Sequence, residues 1–438
     1  MSNIILTNDQ QSAADAFLDF LVSDDKFFVI NGAAGTGKSF LIKHLLQTFY
    51  SKYSAYCLLL QKEVKRFDIK ITATTNKAVN VVEDFLGDLQ LQHANIEVST
   101  IYSLLGLQVT NNYKTGKTEL TFNKNKNNYL QTLFGSEIPL LFIDEASFIS
   151  EELQQIIEST MPSDSGVKIV YIGDKYQLAP VGQAFSAMDS IKGNKAILSE
   201  VVRNAGHILQ TGTQFRHTVE TGLFKPISFN NIDVIHMDGK NFKQAVEASF
   251  THPDWHPSKS KVLAWTNNRV QEYNQHIRTA LNKPRLFTVN EYAITNEYIK
   301  SSNGKYTCGV DSEVQLTKVH NDKCELYGVM GYMVEIDNAY VGFMPEDFMD
   351  AKAAMKKFAA EKEWKKFFEI KESWLDLRAV YSSSVHKSQG STYETVFIDL
   401  ADIGTNWNAT DVARLLYVSI TRASKKVICY GHLPDRYT

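Results

Sequence analysis

A chain of 438 residues is too long for one ordinary hydrophobic core, so two or more domains are expected. With 44% hydrophobic and 22% charged residues, and no run of about 18 apolar residues, it reads as a soluble globular protein without a membrane span. A net charge of −3 excludes a basic coat over the whole surface, so a polyanionic partner would need a local groove. Residues 1–11 carry no basic stretch followed by an apolar core, so no secretory signal is read. Cys57, Cys308, Cys324 and Cys429 are scattered with no C-x-x-C pair. That spacing gives neither a zinc site nor a disulfide framework, and reduced thiols in a cytoplasm are expected.

In chain order, residues 10–22 read as a helix, with Ala13, Ala14, Phe17, Leu18 and Leu21 on one face. A short apolar strand at 27–30 leads into Gly32-Ala33-Ala34-Gly35-Thr36-Gly37-Lys38-Ser39, and a helix follows at 40–50. A second strand at 69–73 ends at Thr74-Thr75-Asn76-Lys77. Residues 106–122 carry a hairpin signal around Lys114-Thr115-Gly116-Lys117, either a plain surface hairpin or a strand-guiding wedge. Strands at 140–143 and 168–172 end at Asp144-Glu145 and at Gly173-Asp174-Lys175-Tyr176-Gln177. Apolar strands alternating with helices predict an α/β fold, a parallel sheet with helices on both faces and its motifs at the strand C-termini.

A second α/β lobe is expected after about residue 205, with a strand at 262–265 that ends at Thr266-Asn267. Residues 285–345 are rich in Val, Tyr and Thr and suggest a small β-barrel, and 350–375 reads as a helix of interleaved aromatics and lysines. Those aromatics either grip a strand or pack on a neighbouring domain while the lysines stay solvated. The α/β texture returns at Ala379, so the second lobe is interrupted.

The chemistry starts at residues 32–39, a full match to G-x-x-x-x-G-K-[ST] between a strand and a helix. In such a loop the backbone N–H groups of Gly32, Ala33, Ala34, Gly35, Thr36 and Gly37 cradle phosphates. Lys38 pairs with the β- and γ-phosphates, and the Ser39 hydroxyl ligates Mg²⁺. Asp144 is placed to hold the metal and Glu145 to orient or deprotonate water. Gln177 can touch both the γ-phosphate and the water. Arg203 and Arg422 are candidates for stabilising charge on the transferring phosphoryl group.

Taken in order, these motifs resemble those of the superfamily 1 helicases, in their RecD-like branch, from Gln10 to Ala423. The resemblance implies two RecA-like lobes with ATP and Mg²⁺ between them and single-stranded DNA across their top. It divides the chain into lobe 1 at 1–205 with a pin hairpin at 106–122, and lobe 2 at 206–284 and 378–438. An SH3-like barrel with a helical tower takes 285–377. It makes Gln10 an adenine contact and Gly390 a second-lobe contact to the nucleotide. It assigns strand contacts to Thr75, Asn76, Lys77, Thr100, Ser103, Phe122, Thr266, Asn267, Ser384, His386, Gln389 and Thr392. Thr74 and Ala179 stand where many relatives carry Pro, which affects loop geometry and leaves the catalytic groups in place. The resemblance further implies 5′-to-3′ movement, action at single-strand/duplex junctions, contact with single-strand-binding or replication proteins, and a monomer. Two readings compete: a motor of the opposite polarity, and an ATP-driven switch that does not unwind.

Overall fold

The structure, a computed structural model, describes residues 6–87, 89, 96–112, 117–122, 138–161, 166–180, 186–202, 206–301, 306–320 and 322–437. The chain forms two compact units. The first comprises Met1–Gln108, Phe122–Ile227 and Asn408–Ser424; the second comprises Val109–Thr121, Ser228–Trp407 and Lys425–Thr438.

The first unit is built on a six-stranded parallel sheet. Its order is Ile96–Thr100, Phe67–Ala73, Ile138–Asp144, Lys168–Gly173, Phe27–Gly32 and Asn194–Leu198. The Lys168–Gly173 strand is buried at every position, as expected of a strand covered on both faces. One face packs an aromatic cluster of Phe17, Phe20, Phe28, Phe49, Phe67 and Phe142; the other packs Leu141, Ile143, Ile169 and Tyr171. The Asn8–Val22 helix starts in a capping box, in which Thr7 accepts from the Gln10 backbone N–H and Gln10 reaches back to the Thr7 N–H. At its other end Lys168 Nζ donates to the carbonyls of Phe20, Ser23 and Asp25 at 3.1, 2.6 and 2.7 Å. The Ala409–Thr421 helix lies against Gly206–Thr221. Gly212 allows this approach, since a Cβ there would sit 3.2 Å from Thr421 Cγ2.

The second unit holds a five-stranded sheet in the order Ser382–Ser384, Ser260–Ala264, Tyr393–Asp399, Ala423–Tyr430 and Val234–Met237. Its strand pairs at Ser260–Ala264 and at Val234–Met237 run parallel. A six-stranded sheet with antiparallel pairing follows, built from Tyr292–Thr295, Glu313–Val319, Cys324–Leu326, Val329–Ile336, Tyr340–Pro345 and Leu377–Ala379. Where residues 350–375 suggest one helix, there are two, Phe348–Ala360 and Trp364–Ser373, separated by Lys362 in the left-handed region at φ 59°. Phe358, Ile370 and Trp374 are buried against Val329 and Phe343 of this six-stranded sheet. The aromatics of this segment therefore serve packing within the unit. Leu107–Asn112 pairs with Lys117–Phe122 as a hairpin, whose turn residues 113–116 lie outside the described residues. Among the described residues no helix is long and apolar enough to cross a membrane.

Candidate functional site

The Phe27–Gly32 strand delivers the phosphate loop, and the Lys38–Leu59 helix leaves it. Gly35 and Gly37 take φ of 82° and 77°, a region that L-residues enter at a cost. Gly37 is doubly constrained, since a Cβ there would lie 2.6 Å from Gln10 Nε2. Gln10 is buried and its amide donates to the Thr36 carbonyl at 3.0 Å, so the Asn8–Val22 helix and the loop are one construction. Thr36 is fully buried and donates to the Ala33 carbonyl at 2.9 Å. Lys38 Nζ donates to the carbonyls of Gly32 at 2.8 Å and Ala33 at 3.3 Å. Ser39 sits in the first turn of the helix and is partly exposed.

Asp144 ends the neighbouring Ile138–Asp144 strand, and its carboxylate accepts from the Glu145 N–H at 2.9 Å. Burial, and then the Glu145 charge beside it, push its carboxyl up to about 6 against the opposing pull of Lys38. Glu145 is held at φ 49°, a strained conformation for this residue, and its Oε2 is buried with no hydrogen-bond partner. Two adjacent carboxylates with an unsatisfied oxygen suit a divalent cation and an ordered water.

Asp174, at the end of the Lys168–Gly173 strand, is fully buried. Its carboxylate accepts from the Tyr176 N–H at 3.0 Å and from the Tyr417 hydroxyl at 2.7 Å. The Tyr417 hydroxyl in turn accepts from the Ala34 N–H of the phosphate loop at 2.9 Å. Gln177 is buried and its N–H bonds the Asp174 carbonyl at 3.1 Å. Arg422 caps the Ala409–Thr421 helix, is 4% exposed, and donates through Nε to the Val418 carbonyl at 3.3 Å. Its charge is felt at Tyr417, where it opposes a hydroxyl pKa raised well above the ordinary value by burial and by Asp174. Lys38, Asp144, Glu145, Asp174, Gln177 and Arg422 thus share one end of the first unit. Arg203 lies outside the described residues. Asp174 stands three residues before Gln177 and Tyr417 five before Arg422; a buried hydroxyl on a loop amide carries no sequence signal.

Of the strand-contact candidates in the first unit, Thr75 and Thr100 are helix N-caps, accepting from Ala78 N at 3.2 Å and Ser103 N at 3.1 Å. Thr75, Asn76 and Ser103 are exposed, and Phe122 is 44% exposed. The Lys77 backbone is helical, and its side chain lies outside the described set. In the second unit, Thr266 caps the Asn267–Ala280 helix and donates to Asp402 Oδ1 at 2.7 Å. Asn267, Ser384 and Lys387 line a cavity of about 1040 Å³ together with Arg285, Phe348 and Arg378. His386 and Thr392 are exposed, Gln389 is buried, and Gly390 takes φ 75° with open space where a Cβ would stand.

Residues 6–222 match the family model described as an AAA domain, and residues 379–430 match that of the UvrD-like helicase C-terminal domain. The uncharacterized protein R530 of Acanthamoeba polyphaga mimivirus is 24% identical, over 95% of this chain and 98% of its own. The ATP-dependent DNA helicase dda of Enterobacteria phage T4 is 23% identical, over 95% and 97%. A solved structure of Pif1 helicases at forked double-stranded DNA is similar in fold, with a TM-score of 0.50 at 15% identity over 99% of this chain and 94% of that one.

Proposed function

Since this chain belongs to the superfamily 1 helicases, related to the Dda enzyme, we propose that it couples ATP hydrolysis to 5′-to-3′ movement on single-stranded DNA and opens duplex ahead of it. The observation that carries this reading is the gathering of the loop lysine, two adjacent carboxylates and a buried arginine at one end of one sheet. The N–H groups of residues 34–39 and the Lys38 ammonium hold the phosphates. Glu145, through its unpartnered Oε2, orients the attacking water and takes its proton. Arg422 places a fixed positive charge where negative charge spreads in the transition state. Mg²⁺, held by the Ser39 hydroxyl and Asp144, would neutralise charge on the phosphate oxygens. Gln177 sits on the backbone of Asp174 and transmits the state of the phosphates to its own loop.

Thr75, Asn76 and Ser103 on the first unit and Asn267, Ser384 and His386 on the second offer hydroxyl, amide and imidazole groups that grip a strand without reading its sequence. Phe122, whose ring is exposed at the end of the hairpin, is the proposed stacking residue for a base. A role in copying or recombining DNA, alongside single-strand-binding proteins, belongs to the same proposal. The deciding experiment is unwinding of two matched DNA duplexes, one with a 5′ and one with a 3′ single-stranded tail, under Mg²⁺-ATP. Opening of the 5′-tailed duplex alone is expected. Opening of the 3′-tailed duplex alone reverses the polarity, and opening of neither, with ATPase activity indifferent to DNA, replaces the motor by a switch.

A further inference from the structure

The Tyr417 hydroxyl bonds an amide of the phosphate loop and a buried carboxylate at once. It has one proton and two acceptor sites, and the structure fixes both roles. The proton goes to Asp174 Oδ2 at 2.7 Å, a short charge-assisted bond, and a lone pair takes the Ala34 N–H at 2.9 Å. Burial and the Asp174 charge hold the proton on the oxygen, so this arrangement persists across the physiological pH range. The Ala34 N–H belongs to the loop whose amides cradle phosphates, and a single N–H makes one bond of good geometry at a time.

We propose that the Tyr417 hydroxyl is a stand-in for a phosphate oxygen on the Ala34 amide, which a nucleoside triphosphate must displace in order to bind. The proposal deepens the nucleotide reading above by naming the residue that competes with the phosphates. Displacement has two consequences that a plain structural tyrosine would not. Asp174 loses or redirects its hydroxyl donor, and the loop that carries Gln177 is relaxed. The helix bearing Tyr417 is also released from the phosphate loop, and Arg422 lies five residues further along it, where its final turn ends. Occupancy of the loop is therefore communicated to the arginine through one hydroxyl. Tyr417 is a positioning residue: it holds the helix that ends at Arg422 against the phosphate loop, and it is not required to touch the reacting atoms.

The test is Tyr417→Phe, which keeps the buried ring and removes only the oxygen. Binding of a fluorescent, non-hydrolysable ATP analogue with Mg²⁺ is measured without DNA, alongside exchange of the Ala34 amide proton with and without the analogue. The wild type should protect the Ala34 amide without nucleotide, and Y417F should expose it. Y417F should then bind the analogue about three- to tenfold more tightly, the worth of one hydrogen bond no longer lost on binding. Unchanged or weaker binding by a folded Y417F, or an Ala34 amide unprotected in the nucleotide-free wild type, overturns the proposal. Should Y417F fail to fold, 3-fluorotyrosine placed at position 417 replaces it. Its fluorine resonance must shift on saturation with the analogue, and a resonance that does not move is equally fatal. A wild type that binds no nucleotide would remove the helicase reading itself, a distinct failure.

Discussion

The tripeptide Phe-Ile-Asp ends an interior parallel strand in each unit, at Asp144 in the first and Asp399 in the second, and the two aspartates have opposite surroundings. Asp399 is fully buried and compensated: it accepts from Arg269 Nε at 2.6 Å, the Tyr273 hydroxyl at 2.7 Å and the Asp402 N–H at 3.0 Å. Asp144 has the Glu145 N–H at 2.9 Å and, beside it, a second carboxylate with an unpartnered oxygen. The same residue at the same point of a fold is compensated in one unit and left largely uncompensated in the other. What decides is whether the neighbouring helix offers an arginine or the chain itself offers another acid.

The comparison is broken most severely from the catalytic side. Arg422→Ala should lower ATP turnover by about 10³-fold or more while leaving nucleotide affinity nearly unchanged, read by steady-state hydrolysis beside equilibrium binding. Preserved turnover would remove Arg422 from the reaction. Glu145→Gln should cost about 10²- to 10⁴-fold in turnover with no loss of melting temperature, because the removed charge is uncompensated. A stability loss comparable to that of an Asp399 variant would show the two sites to be alike after all.

From the structural side, Asp399→Ala should destabilise the fold by about 3 kcal/mol in urea titration, since it strands a guanidinium and a phenol that both point at the missing carboxylate. Asp144→Asn should act in the other direction and stabilise by on the order of 1 kcal/mol at neutral pH. Its carboxyl titrates near 6 in the folded chain against 3.8 in the unfolded one, so between these values the folded state holds the additional proton. Stability contributed through this group therefore falls as pH rises from about 4 to about 6. That slope should be present in the difference between wild type and D144N, and its absence would mean that Asp144 is better compensated than its neighbours suggest.

The phosphate loop, the acidic strand end and the strand alternation were legible because each is local: a glycine spacing, or an apolar run closed by an acid. The clamp at Asp399 was not, because Arg269 and Asp399 stand 130 residues apart and only folding brings them together. Arg422 is legible as a candidate from its charge, while Tyr417, one turn and a half before it, has no pattern that separates a buried packing ring from a hydroxyl aimed at a loop amide. The interleaved lysines and aromatics at 350–375 were ambiguous for a related reason: composition gives the residues of a face, and packing decides which face is inside.

Lys168, at the end of the sheet far from the nucleotide loop, grips the last turn of the helix whose first turn carries Gln10. That helix is 15 residues long, a rod of about 22 Å. With its foot bolted to the sheet and its head bonded to Thr36, it behaves as a calibrated spacer rather than a floating arm. The distance between the Gln10 amide and the sheet is thereby set by the chain alone, and under the proposed adenine contact it would gauge the base against the phosphates.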